Sequence, residues 1–226
     1  MTPSLVRRAA LHAALGEPVR LAIIDELLVT DRSPKELGQR HALPTNLLAH
    51  HLEVLETAGL VTRFVSSGDR RRKYVRLDHQ ELAGLAFSTP ARGAPRPMVF
   101  LCSHNSARSQ LAAALWTART GERAASAGTH PAPRVHLGAV AAARRAGLDL
   151  GAAVPRLVGP IDAGTQVVTV CDRAHEELHA TEDWWHWSVP DPVPAGTAAA
   201  FDAVVATLDR RIDSIIHSLE QDGPRS

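Results

Sequence analysis

Cysteine, lysine and long apolar runs are what this 226-residue chain has least of. Its two cysteines, Cys102 and Cys171, are too few for a disulfide framework and point to a reducing compartment, with thiols kept for chemistry. Lysine occurs only at Lys35 and Lys73 while arginine is abundant, a bias that reads as high-GC coding rather than as function. No apolar run approaches the roughly 20 residues that a membrane-spanning helix needs. The first residues also lack the apolar core of a signal peptide. A cytoplasmic protein without a membrane partner is expected.

What is present suits two domains of about 100 residues each. Hydrophobic residues make up 45% of the chain, enough for ordinary globular cores. The net charge of +1 conceals an asymmetry. Residues 1–95 carry 13 Arg and Lys against 10 Asp and Glu, and residues 96–226 carry 12 against 14. A modestly basic front half permits nucleic-acid binding without requiring it. Between the halves, Ser88-Thr-Pro-Ala-Arg-Gly-Ala-Pro-Arg-Pro97 holds three prolines and a glycine in ten residues, the composition of a stiff connector. The expected division is a first domain at 1–88, a linker at 89–97 and a second domain at 98–222.

In the front half, apolar spacing predicts helices over 5–15 and 19–29, the second presenting Leu21, Ile24, Leu27 and Leu28 to a core. Ser33-Pro34-Lys35-Glu36 is a capping box that starts a short helix to about His41. A brief turn at Ala42-Leu43-Pro44 leads to a helix over 45–57 with Leu48, Leu52 and Leu55 inward. Two short helices joined this closely read as a helix-turn-helix. Alternating segments 60–65 and 73–77 then form a hairpin whose tip carries Arg70, Arg71 and Arg72, followed by Lys73. After a helix-turn-helix, such a basic wing suits contacts to DNA phosphates.

Leu15-Gly-Glu-Pro-Val-Arg-Leu21, Leu47-Leu-Ala-His-His-Leu52 and Leu55-Glu-Thr-Ala-Gly-Leu-Val61 resemble the ArsR-type winged-helix repressors over residues 5–88. The resemblance implies an α+β winged helix-turn-helix that binds double-stranded operator DNA as a homodimer, through terminal helices at 5–15 and 79–88. Positions matching the family make Thr45, Asn46 and His50 the base-edge readers, with Asn suited to adenine. His51 is expected to pack against the neighbouring helix. Metal- and arsenite-sensing relatives carry cysteines or His/Asp clusters here. Pro34-Lys-Glu-Leu-Gly-Gln-Arg40 has no cysteine, and no metal site is expected.

The back half is organised around Met98-Val-Phe-Leu-Cys102-Ser-His-Asn105-Ser-Ala-Arg108-Ser109-Gln110. A short apolar run ends in Cys102, five residues separate it from Arg108, and an Ala/Leu-rich stretch follows. This reads as a strand, a tight loop and a helix over 106–119. Loop amides and the helix dipole make a positive concavity sized for a tetrahedral oxyanion. Ser103, His104, Asn105, Ser106, Ala107 and Arg108 would line it. The planar fork of Arg108 grips two anion oxygens, and a thiolate at Cys102 would be a nucleophile in place. Further strands over 123–128 and 166–170, with helices over 134–146 and 195–219, alternate as in an α/β domain with a central parallel sheet.

Cys, five residues, Arg, Ser, with Asn three after the Cys, resembles the low-molecular-weight tyrosine phosphatases and the thiol-dependent arsenate reductases on the same fold. Cys102, Asn105, Arg108 and Ser109 match; His104 stands where many relatives have glycine. Ser126-Ala-Gly-Thr129, Ala132-Pro-Arg-Val-His136 and Val167-Val-Thr-Val-Cys-Asp172 look like the reductase branch. The resemblance implies that Ser109 stabilises the thiolate and that Asp191, in Trp187-Ser-Val-Pro-Asp191-Pro192, is the general acid. It implies that Cys171 attacks the arsenic adduct of Cys102. Trp184, Trp185 and Trp187 are expected to wall the site, unless they serve packing alone. Many reductases pass the disulfide to a third cysteine, but here that position is Leu178.

Three functions follow. One is an operator-binding regulator fused to an arsenate reductase that binds no cofactor and draws on an external thiol, either thioredoxin or a small thiol. Another is a pure regulator whose pocket senses an arsenate- or phosphate-like oxyanion or redox state. The third is a regulator fused to a phosphatase. The equipment at Cys102, Arg108, Ser109 and Asp191, with Cys171, favours the first.

Overall fold

The computed structural model describes residues 5–82, 97–181 and 183–220. The expected linker at 89–97 falls outside these apart from Pro97, as does most of the terminal helix expected at 79–88. The chain divides into two compact units, one built from the front half and one from the back.

The first unit strings together α1 (Leu5–Leu15), α2 (Pro18–Leu27), α3 (Pro34–Arg40), α4 (Thr45–Thr57), β1 (Val61–Val65), β2 (Lys73–Leu77) and α5 (His79–Leu82). Local chemistry sets several boundaries. Glu17 caps α2 through Arg20 N–H, and Pro18 supplies the pre-set first turn. Ser33 and Glu36 form a reciprocal capping box on α3. Gly59 takes a φ of 77° just past α4, where a side chain would be strained. β1 and β2 pair antiparallel, with Val61 opposite Leu77 and Val65 opposite Lys73.

Leu11, Ile23, Ile24, Leu27, Leu37, Leu48, Leu52, Leu55 and Val75 meet in one apolar core. Of the expected inward face of α2, Ile24 and Leu27 are fully buried and Leu28 packs half-buried against the core, but Leu21 is 38% exposed and Ile23 lies in the core instead. Buried Glu26 sits among cations, 2.7 Å from Arg32 and 2.6 Å from Arg40, which joins α2 to α3.

In the second unit, β3 (Met98–Cys102), α6 (Arg108–Thr120), β4 (Ala124–Gly128), α7 (Leu137–Arg145), β5 (Gln166–Thr169), α8 (Asp172–Glu177), β6 (Trp185–His186) and α9 (Ala198–Glu220) follow in order. The sheet is parallel throughout, ordered β4-β3-β5-β6. All five residues of β3 are buried, as befits a central parallel strand covered on both faces. Burying Phe100 and Leu101 contributes roughly 1.5–3 kcal/mol each. From β3 the chain winds to β4 on one side, then crosses to β5 on the other. That reversal opens a crevice at the carboxyl end of β3, where sheets of this kind bind ligands.

Three elements beside the crevice differ from the expectation. α6 begins at Arg108 rather than Ser106, because the Ser106 carbonyl is taken by the His136 N–H and Ala107, at φ −144° and ψ −81°, is not helical. Cys171-Asp172 opens a short helix, α8, and Trp185-His186 forms a fourth strand; both are too brief to leave a periodic signal.

Candidate active site

Cys102 ends β3, and the chain then turns over residues 103–107 before α6. Asn105 makes the turn possible. It takes a φ of 46°, a left-handed conformation that Asn tolerates better than most residues. Its amide N–H donates to Cys102 Sγ at 3.2 Å. Its side-chain amide donates to Ser109 Oγ at 2.8 Å and Ser126 Oγ at 3.0 Å. Its carbonyl oxygen, Oδ1, accepts from Arg156 N–H at 2.8 Å and Gln110 Nε2 at 3.1 Å. Asn105 is fully buried and serves as the keystone of the loop.

Ser109 Oγ lies 3.0 Å from Cys102 Sγ, in the first turn of α6. With the Asn105 side chain donating to it, the hydroxyl is oriented to donate its own proton to the sulfur. Two donors, the Ser109 hydroxyl and the Asn105 amide, therefore converge on Cys102.

The segment after β4 explains how the loop faces an anion. Thr129, His130, Ala132 and His136 each donate a backbone N–H to the carbonyl of Cys102, Ser103, His104 and Ser106 respectively, at 2.8–3.2 Å. The loop's carbonyls are thereby taken. The amides of His104, Ser106 and Ala107 have no acceptor among the described residues, and they are among the donors an oxyanion in the loop would meet. Gly128 permits the approach: a methyl there would stand 2.6 Å from the Ser103 carbonyl oxygen and 2.9 Å from the Asn105 nitrogen.

Arg108 is buried at the head of α6. One terminal nitrogen donates to the Val189 carbonyl at 2.9 Å, and the other reaches Asp191 Oδ2 at 3.2 Å. The segment 187–192 is thus drawn to the arginine, and a half-exposed carboxylate stands beside its guanidinium. Asp191 Oδ1 also accepts from Val193 N–H, which sets its rotamer.

Cys171 lies just after β5, next to β3 in the sheet, and caps α8 by accepting from Ala174 N–H. Its Sγ is 3.3 Å from the hydroxyl of Ser103, the residue that follows Cys102. Both cysteines are free and buried. Burial pushes the Cys171 thiol up; Arg108 pulls it down, and the nearby Cys102 adds to the rise.

Residues that sequence reasoning singled out here do come together: Cys102, Ser103, Asn105, Arg108, Ser109, Asp191 and Cys171 form one cluster, with His104 exposed at its rim. Ser106 and Ala107 contribute backbone. Gln110, Ser126, Gly128 and the amide of Arg156 were missed as parts of the loop's support. Ser126 and Gly128 lie inside a motif already marked by resemblance, while Arg156 acts through its backbone and leaves no sequence signal. Trp184 and Trp187 follow the packing alternative rather than a site wall. Trp187 is 1% exposed and packs on Phe100, and Trp184 packs on the cluster of Val99, Leu101 and Val167. Among the described residues, no group of three or more His, Cys, Asp or Glu could hold a metal ion.

In the first unit, Thr45, Asn46 and His50 lie exposed on α4, the last beside buried His51 at 5.9 Å between ring centroids. Arg70, Arg71, Arg72 and Lys73 are exposed at the β1–β2 turn.

A thiol at the carboxyl end of a central parallel strand, ringed by amides and an arginine at a helix start, defines an oxyanion-binding thiol site. The low molecular weight phosphotyrosine protein phosphatase family matches residues 97–225, more than half of the chain, and the chain belongs to that family. Three similar solved structures, with TM-scores of 0.47–0.49, each cover a little over half of the chain. The YwlE arginine phosphatase from Geobacillus stearothermophilus is 22% identical over 57% of this chain and 95% of its own, with a TM-score of 0.49. An arsenate reductase in the phosphate binding state is 20% identical over 55% and 99%, at 0.47. A thioredoxin-dependent arsenate reductase of Corynebacterium glutamicum is 23% identical over 58% and 65%, also at 0.47. No curated protein matches the sequence.

Proposed function

We propose that the second unit reduces arsenate to arsenite through Cys102, and that the first is a dimeric winged-helix regulator of ArsR type that binds operator DNA. The observation that carries the enzymatic half is Cys171, held by Ser103 beside the loop that Cys102 opens. A phosphatase needs one thiol here; a reductase needs a second, from Cys171 or from a small external thiol that attacks the adduct on Cys102.

The chemistry balances with the residues present. Arsenate enters the loop, and the fork of Arg108 turns from Asp191 to two anion oxygens. The Cys102 thiolate bonds to arsenic while one arsenate oxygen leaves as water, protonated from Asp191 as general acid. Ser109 and the Asn105 amide hold the thiolate before attack. Cys171, as its thiolate, then attacks the Cys102 sulfur. A sulfur–sulfur bond forms, the sulfur–arsenic bond breaks, and its electron pair goes to arsenic. Arsenic(V) becomes arsenite, and two thiols become a disulfide. An external thiol, either thioredoxin or a small thiol, restores the pair at the cost of its own oxidation.

The family description favours a second reading, hydrolysis of phosphate esters by Cys102 without Cys171. A third reading keeps the pocket as a sensor of oxyanion or redox state without turnover. Purified protein supplied with arsenate and either dithiothreitol or a thioredoxin system, in parallel with p-nitrophenyl phosphate, separates these. Arsenite that requires Cys171 supports the reductase. Ester hydrolysis indifferent to Cys171→Ser, without arsenite, supports the phosphatase.

The regulatory half rests on α3 and α4 joined by a short turn, the exposed Thr45, Asn46 and His50 on α4, and the arginines beyond β1. α4 would enter the major groove and the arginines would meet phosphates. α1 and the helix starting at His79 would form the dimer contact. Binding of a labelled duplex spanning the start of its own gene, with sedimentation to count subunits, tests both points.

A further inference from the structure

Beside Cys171 lies a buried polar ring that the thiol chemistry above does not use. Asp172, the first residue of α8, is 1% exposed, and its Oδ1 is 3.1 Å from Nε2 of fully buried His186 on β6. His186 Nδ1 is 2.9 Å from Thr169 Oγ1 on β5, and the same hydroxyl is 3.0 Å from Nδ1 of His175 on α8. The two imidazoles stack with centroids 4.1 Å apart. The backbone N–H of His175 returns to the Cys171 carbonyl at 3.2 Å. Burial opposes the Asp172 charge, yet the hydrogen bond and charge of His186, with help from Ser188, hold its carboxyl below the ordinary range.

Such a ring is a poor way to gain net stability, since desolvation consumes most of what a buried ion pair returns. It is a good way to fix geometry. α8 has six residues, too few to be stable as a helix on its own. Its position must come from outside ties. The Asp172–His186 pair binds its first turn to β6, and Thr169 with His175 binds it to β5. At its other end Glu177 accepts from Thr129 Oγ1 at 2.7 Å, and Thr129 in turn holds the Cys102 carbonyl. The sulfur of Cys171 rides on that first turn.

We propose that Asp172 and His186, seated through Thr169 and His175, are positioning residues that hold the Cys171 sulfur at Ser103, ready for the second thiol step. This rests on the reading of Cys171 as the second thiol. Without the pair the first turn of α8 opens, and Cys171 spends much of its time away from Cys102 and open to solvent.

Three measurements test this. In the Cys102→Ser protein, alkylation of Cys171 by iodoacetamide is followed by intact mass. His186→Ala should speed it at least about tenfold, as expected for easier local opening. His186→Gln, whose amide still donates to Asp172, should restore most of the protection. Affinity for inorganic phosphate, a report on the anion loop, should stay within about twofold, since a bond remote from the anion is the one removed. Asp172→Asn serves where His186→Ala fails to fold. Alkylation at the parental rate in both His186→Ala and Asp172→Asn overturns the proposal. In protein that retains Cys102, arsenate-driven disulfide formation should lose kcat with KM held. If these variants form the disulfide as fast as the parent, the positioning role falls and the reductase reading stands. If the parent itself forms none, the reductase reading falls, and the alkylation rates still decide the positioning role.

Discussion

Cys102 and Cys171 are alike in burial and unlike in company. Cys102 receives the Asn105 amide and faces the Ser109 hydroxyl, both suited to a negative sulfur, with Arg108 six residues on. Replacing it by serine removes the nucleophile, and arsenate reduction and ester hydrolysis should both fall by about a thousandfold or more. Cys171 has Ser103 and Ala174 N–H, and burial holds its thiol above the ordinary value. A raised thiol stays protonated to higher pH, so the thiolate needed for the second step grows as pH rises. Stopped-flow measurement of disulfide formation should therefore show a rate still climbing above about pH 8.5, the ordinary thiol value. A rate that levels off near neutrality would show that Cys171 is not the attacking group. That Cys102, Asn105, Arg108, Ser109 and Asp191 lie together was legible in the sequence, because the Cys-to-Arg spacing and the resemblance to a known motif single them out. Asp172 and His186 were not, because they meet only through β6, a strand of two residues.

At the scale of elements, the loop at 103–107 depends on its neighbour. Residues 129–136 occupy its carbonyls, and Gly128 leaves room for that fit. Gly128→Ala would press a methyl against the Ser103 carbonyl and the Asn105 nitrogen, both backbone atoms that cannot rotate away. Strain of about 1–3 kcal/mol from overpacking should appear as a roughly tenfold to hundredfold loss of phosphate affinity, measured by calorimetry. Unchanged affinity would mean the loop is not held as described. Longer elements announced themselves: α4 runs over Thr45–Thr57 where the apolar spacing put it, and the capping box marks α3. The start of α6 was misread by two residues, because a hydrogen bond from His136, 30 residues away, decides where the loop ends. Long-range bonds of that kind leave no local trace.

At the scale of the whole molecule, the chain is two compact units, and the proposal gives each its own task. If the arginines of the β1–β2 turn meet phosphates, changing Arg70, Arg71 and Arg72 together to alanine should weaken duplex binding. It should also reduce the slope of log affinity against log salt by about 2–3, near 0.9 per lost contact. An unchanged slope would remove the turn from the interface. Cys102→Ser, by contrast, should leave duplex affinity without oxyanion as it was. A regulatory role for the front half is proposed from motif resemblance and from the helix pair α3 and α4. Residues 83–88 of the expected dimer contact lie outside the described structure.

The central claim, that two thiols in one pocket reduce arsenate, is tested most directly by counting them. Reduced protein is mixed with arsenate in the absence of other thiols, then titrated for free thiol and weighed intact. The account predicts that both thiols disappear and that the mass falls by about two units, as one disulfide replaces two S–H groups. Cys171→Ser should abolish that change. Two free thiols and an unchanged mass after arsenate would contradict it.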